Sequence, residues 1–199
     1  IAGNATVQGN RQIFFAQQGG FDTHGNQIGA SGATEGEHAR LLKSLGDALA
    51  AFYTAMKNLG MGDVVTTFTQ SDFGRTFKPN NSGGTDHAWG QVAMVMGAPA
   101  SGGGPLNGGQ VYGRYPLQVL GRQYPGAPDV YGECFNRGEF LPTTATEQMS
   151  GSLARWMGVS NTELPSIFPN IDNFVNPHPN SAAMAYNARV IPNMMNGIS

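Results

Sequence analysis

Two of the 4 histidines in this 199-residue chain stand beside acids in glycine-rich surroundings. Asp22 and His24 are one residue apart in GGFDTHG, residues 19–25. Asp86 and His87 are adjacent in GGTDHAWG, residues 83–90, and a further acid, Asp72, lies in QSDFGR, residues 70–75. Carboxylate oxygen with imidazole nitrogen is a donor set for zinc, with manganese or iron as alternatives. An extended backbone turns Asp22 and His24 to one face, and the flanking glycines permit close approach. Two carboxylates and two imidazoles, Asp22, His24, Asp72 and His87, can then meet within one metal-sized volume. Acids beside glycine also cap turns, and Asp22 and Asp72 are open to that reading. Arg75, three residues after Asp72, suits bidentate hydrogen bonding to an anionic substrate group, with a surface ion pair as the alternative.

Other chemistry is poorly served. No GxSxG elbow is present, and Ser71 has no base at a diagnostic spacing. The runs GGG (102–104) and NGG (107–109) lack the strand before and helix after that a phosphate-binding loop needs. His38 reads as a solvated imidazole in the first turn of a helix, and His178, in NPHPN, as loop surface.

The elements that must position these groups read as α/β. RQIFFAQQ, Arg11 to Gln18, has the character of a short buried strand ending just before Asp22. In TEGEHARLLKSLGDALAAFYTAMKNLG, Leu41, Leu42, Leu45, Ala48, Leu49, Phe52, Met56 and Leu59 follow the period of an amphipathic helix. Thr34 with Glu37 would form its capping box, and Gly60 its left-handed terminus. DVVTTFTQ, Asp63 to Gln70, reads as a second strand, which predicts a parallel pair joined by a right-handed crossover. GQVAMVMGAP, Gly90 to Pro99, reads as a third. The polar clusters then fall near the carboxyl ends of parallel strands, where loops converge. Glycine and proline dominate from Ala100 to about Thr143, with one short hairpin expected near Val111 and Tyr112, and a last helix follows over Thr146 to Met157. Met149, Leu153 and Trp156 share its apolar face.

Composition bounds the partners. Glycine is 29 of 199 residues and charged residues are 12%, about half the usual ~25%, which describes a loop-rich globular chain of one domain over residues 1–199. A formal charge of -2 leaves no electrostatic footprint for nucleic acid or an anionic membrane. No apolar run reaches the ~18–20 residues of a membrane span. Cys134 is the lone cysteine, so no internal disulfide is available.

Taken together, GGFDTHGNQ, VVTTFTQSDFGRTFKPNNSGGTDHAWG and SLARWMGVSNTELPSIFPNIDNF resemble the DUF1501 family, in order and over nearly the whole chain. The resemblance implies an alkaline phosphatase-like fold, a mostly parallel sheet flanked by helices with a long Gly/Pro-rich loop region. It also implies that the chain is the C-terminal part of a larger domain, with the N-terminal half of the same protein as a partner. The implied activity is metal-dependent hydrolysis of phosphate or sulfate esters, acting on an anionic small molecule. Asp22, His24 and His87 match the ligands of one metal and Asp72 an acid of a second, with zinc the expected ion. Phe73 stands where the superfamily commonly has histidine, so one metal, or a second with an altered ligand, fits better. The nucleophile is expected upstream of Ile1, and a periplasmic or secreted location follows from the resemblance alone. The alternative is a catalytically inactive binding or structural module that retains the fold.

Overall fold

The computed structural model describes residues 1, 3, 10–115, 137–175 and 185–198. The longest element is the expected helix, α1, Glu37–Asn58. Leucine, alanine and lysine favour it, and Glu37 in the first turn with Lys57 in the last complements its dipole. Its end is a Schellman motif. Gly60 takes φ +67, its amide bonds to the Lys57 carbonyl, and the Met61 amide bonds to that of Met56.

The start of α1 differs from expectation. Thr34 does not cap; Gly36, at φ 97, stands at the N-cap with no side-chain cap hydrogen bond. The orphan amides are met from a distance instead, Glu37 N–H by the Asn26 carbonyl at 3.1 Å and His38 N–H by that of Gln27 at 3.1 Å. A side chain at position 36 would lie 2.5 Å from the Ile28 carbonyl carbon, so glycine is required for this docking. The helix start is thereby tied to the segment that carries Asp22 and His24.

Four short strands follow: β1 (Thr66–Phe68), β2 (Gly74–Arg75), β3 (His87–Ala88) and β4 (Val95–Gly97). They form two ladders, β1 with β4 and β2 with β3, both antiparallel. The mostly parallel sheet expected from the sequence is therefore not seen among the described residues, where the parallel pairing is one isolated bridge between Pro99 and Leu106. The second and third expected strands meet each other head to tail, Thr66 opposite Gly97 and Phe68 opposite Val95. The first, Arg11 to Gln18, joins no ladder among the described residues, where Ile13, Phe14 and Phe15 are exposed. An apolar run becomes a buried strand only where a partner takes up its amides and covers its side chains, and no described segment does so here. Val111 and Tyr112 are in no strand among the described residues either.

Phe52, Tyr53 and Met56 of α1 line a small cavity with Val65, Thr67 and Met96, which places the helix against the β1–β4 ladder. The core lies toward the other end of the chain. Helix α2 (Thr146–Trp156) puts Met149 and Leu153 against Leu106, Ile191, Met194 and Met195, and α3 (Leu164–Ile167) adds a second cluster of Leu164, Ile171 and Val190. Gln148 is fully buried yet satisfied, donating from Nε2 to the carbonyls of Tyr186 and Ala188. That contact fastens the C-terminal tail to α2. No described helix is long and apolar enough to cross a membrane.

Candidate metal centre

The site forms where two glycine-rich loops meet. Gly25 and Gly83 form an antiparallel bridge, Thr85 N–H donates to the Thr23 carbonyl at 3.2 Å, and Gln27 N–H to that of Gly83 at 3.0 Å. Gly84 makes the approach possible, because a Cβ there would fall onto the backbone of Thr23, His24 and Gly25. The Gln27 side chain accepts hydroxyl hydrogen bonds from Thr23 at 3.0 Å and Thr85 at 2.5 Å. This brings Asp22 and His24 beside His87.

The β2–β3 register supplies the rest. Arg75 is opposite His87 in the ladder, so both reach the same space. His87 Nε2 lies 2.9 Å from Asp22 Oδ1, and Arg75 Nη1 donates to that oxygen at 2.6 Å. Arg75 also donates from Nε to Thr85 Oγ1 at 3.0 Å and from Nη2 to the Thr85 carbonyl. Hydrogen bonding from His87, then from Arg75, holds the Asp22 carboxyl below its ordinary range.

Three donors converge. His24 Nε2 is 2.9 Å from Asp22 Oδ1 and 3.2 Å from His87 Nε2. Ligands about 2.0–2.2 Å from one tetrahedral zinc ion stand about 3.3–3.6 Å apart, so donors at 2.9 Å and 3.2 Å need to part by only a few tenths of an ångström to share a cation. Of the residues expected as ligands, Asp22, His24 and His87 are brought together. Asp72 is not; it is exposed and takes no part in the group. Strand β2 begins two residues later, and its register directs Arg75 rather than Asp72 to the site.

His24 carries a second clue. Its Nδ1 is 3.1 Å from Asp86 Oδ1. An ionised carboxylate only accepts, so this contact suits the tautomer with the proton on Nδ1, in which the ring turns a bare Nε2 toward Asp22 and His87. Either a proton on His87 Nε2 or a cation held among the three donors offsets the repulsion of lone pairs facing one another across about 3 Å. Metal-bound histidines characteristically give their other N–H to such a carboxylate. The chemistry of the donor set thus fits a divalent ion held by Asp22, His24 and His87. The three side chains are about half exposed.

Several participants escaped the sequence reading. Asn80 accepts the amides of Ser82 and Gly84 through Oδ1 and donates from Nδ2 to the His24 carbonyl at 2.9 Å and to Asp86 Oδ1 at 3.1 Å. The run Asn80-Asn81-Ser82-Gly83-Gly84 is a turn signal that could have revealed half of this role. Arg137 pairs with Asp86 Oδ2 and had no local signal at all. Phe73 does not ligate; it stacks on His87 with ring centroids 3.8 Å apart and 14° between planes. Ser71 bonds the Phe73 carbonyl of its own turn. His38, expected in solvent, is half-buried and edge-on to Phe21, and its Nδ1 has no hydrogen-bond partner among the described residues. His178 and Cys134 lie outside the described residues.

A family model described as "Protein of unknown function (DUF1501)" matches residues 1–121, which include all three converging donors. No curated protein and no solved structure matches the chain.

Proposed function

The chain belongs to the DUF1501 family, and from that premise we propose that it is a metal-dependent hydrolase of phosphate or sulfate esters, of the alkaline phosphatase-like kind. The convergence of Asp22 Oδ1, His24 Nε2 and His87 Nε2 within one ion's reach is the observation that carries this reading. Zinc suits one oxygen and two nitrogens, with manganese or iron as alternatives. A divalent ion held there would supply Lewis-acid polarisation of an ester oxygen or activation of water.

The chain's own residues prepare that chemistry. Asp22 brings one negative charge, and its engagement with Arg75 fixes the carboxylate oxygen that faces the histidines. Three of the five Arg75 N–H groups are used on Asp22 and Thr85. Two remain on the terminal nitrogens, suited to an anionic ester approaching beside Asp22. Phe73 stacks on His87 and restricts its ring. Asp72 is left out of the ligand set, so a single ion is proposed.

A second reading has its own support. Ligand side chains that are about half exposed, with 53% for Asp22, suit a bound ion that organises loops as well as one that performs chemistry in a water-excluding cleft. Elemental analysis of the chain purified without chelator, beside His24→Ala, followed by a panel of phosphate and sulfate monoesters, tests both. Stoichiometric metal lost in the variant, with turnover, supports the hydrolase. Metal without turnover supports the binding module, and no metal in either protein overturns both.

A further inference from the structure

His24 is about half exposed, so packing alone does not fix its ring. Its orientation depends on what its Nδ1 meets, and that is Asp86 at 3.1 Å. The Asp86 carboxylate is itself held at both oxygens, Oδ1 by Asn80 Nδ2 at 3.1 Å and Oδ2 by Arg137. Its backbone is held as well, since Thr76 N–H donates to the Asp86 carbonyl at 2.9 Å and Asp86 N–H to Thr76 Oγ1 at 3.0 Å. The acid can therefore neither rotate nor withdraw while these contacts stand.

We propose that Asp86 is the positioning residue of this site, with Asn80 and Arg137 as its supports: it accepts the hydrogen bond of His24 Nδ1–H and thereby presents Nε2 as a bare donor toward Asp22 and His87. The inference deepens the metal reading above and rests on it for its purpose. Arg137 lies outside the family-matched stretch of residues 1–121. It reaches Asp86 because Lys78 N–H donates to the Arg137 carbonyl at 2.9 Å and Phe77 N–H to that of Gly138 at 3.2 Å. A part of the chain beyond the matched stretch thus sets the chemistry of a ligand within it.

Long-range proton–nitrogen correlation spectra of the full, metal-free chain at alkaline pH read the His24 tautomer directly, and zinc affinity is measured by chelator competition on the same samples. The Nδ1–H form is expected in the unsubstituted chain. Asp86→Ala is expected to shift His24 toward the Nε2–H form and to weaken zinc about 10–100-fold, the usual effect of losing such a partner. Arg137→Gln should produce a smaller loss and Arg137→Lys should restore part of it, with far-ultraviolet circular dichroism unchanged in both. An Nε2–H tautomer in the unsubstituted chain overturns the proposal, as does an Asp86→Ala protein with unchanged tautomer and affinity. If Asp86→Ala does not fold, the two Arg137 variants and the unsubstituted spectrum decide the question. Failure of the unsubstituted chain to bind zinc refutes the metal reading instead, and the tautomer still decides this one.

Discussion

Replacing Gly84 with alanine should loosen the candidate metal centre without touching a proposed ligand. A methyl group there would lie 2.6 Å from the Gly25 nitrogen and closer still to the Thr23 carbonyl oxygen and the His24 carbonyl carbon. Non-bonded atoms settle at about 3.5–4.0 Å, so the two loops must part by about 1 Å. All three obstructing atoms are backbone, so no side-chain rotation relieves the clash. Overpacking of this kind costs about 1–3 kcal/mol of stability. The consequence for function is sharper, because one loop carries Asp22 and His24 and the other His87, whose donors are now 2.9 Å and 3.2 Å apart. A constellation held to about 0.5 Å does not survive a 1 Å displacement. Zinc affinity, measured by chelator competition, should fall at least about 10-fold, comparable to the loss of an orienting partner. Thermal unfolding of the metal-free protein, followed by circular dichroism, should show the accompanying destabilisation. Gly102→Ala is the control, since a methyl at that position meets nothing within 4 Å. A Gly84→Ala protein that binds zinc as tightly as the unsubstituted chain would refute the claim that this close approach builds the site.

Other substitutions separate ligands from bystanders. His87→Ala should abolish stoichiometric metal by elemental analysis, as His24→Ala should, whereas Asp72→Asn should leave metal content unchanged because Asp72 is outside the converging group. Phe73→Ala removes the ring stacked on His87; a weakened rather than lost zinc affinity is expected in the same competition assay, an aromatic pair being worth about 0.5–1.5 kcal/mol beyond its buried area. The Asp86 carboxyl is pulled down from 3.8 to about 2, chiefly by the Asn80 hydrogen bond and then by Arg137. A depressed folded-state value means that its contribution to stability is fully present above 3.8 and is lost as the pH falls toward about 2. Arg137→Gln should move the Asp86 midpoint upward in a carbon-detected carboxyl titration; an unmoved midpoint would show that the ion pair does not form in solution.

Local pattern was enough for some of the architecture. The apolar period from Leu41 to Leu59 specified α1, and Gly60 specified its end, because helix hydrogen bonds and the left-handed terminus involve residues a few positions apart. Its start was misread at Thr34, since the carbonyls that satisfy Glu37 and His38 come from Asn26 and Gln27, and a cap provided by another segment leaves no capping motif. Strand direction was misread for a related reason. The run from Asp63 to Gln70 shows β-branched residues but not its partner, and Val95–Gly97 pairs with Thr66–Phe68 antiparallel. Arg11 to Gln18 has the composition of a buried strand, yet it finds no ladder among the described residues.

The sequence by itself determined which donor types are present and how they are spaced within each loop: Asp22 one residue from His24, Asp86 next to His87, and glycines where backbones must approach. Only the tertiary structure decided which of them act together. It joined Asp22, His24 and His87, set Asp86 behind His24, occupied part of Arg75 with Asp22, and left Asp72 aside. The physical reason is that donors must be held to within about 0.5 Å of the geometry an ion requires, while the segments that carry them are 62 to 65 residues apart along the chain. Their meeting depends on the register of β2 against β3 and on the space left at Gly84, and neither can be read from one segment alone.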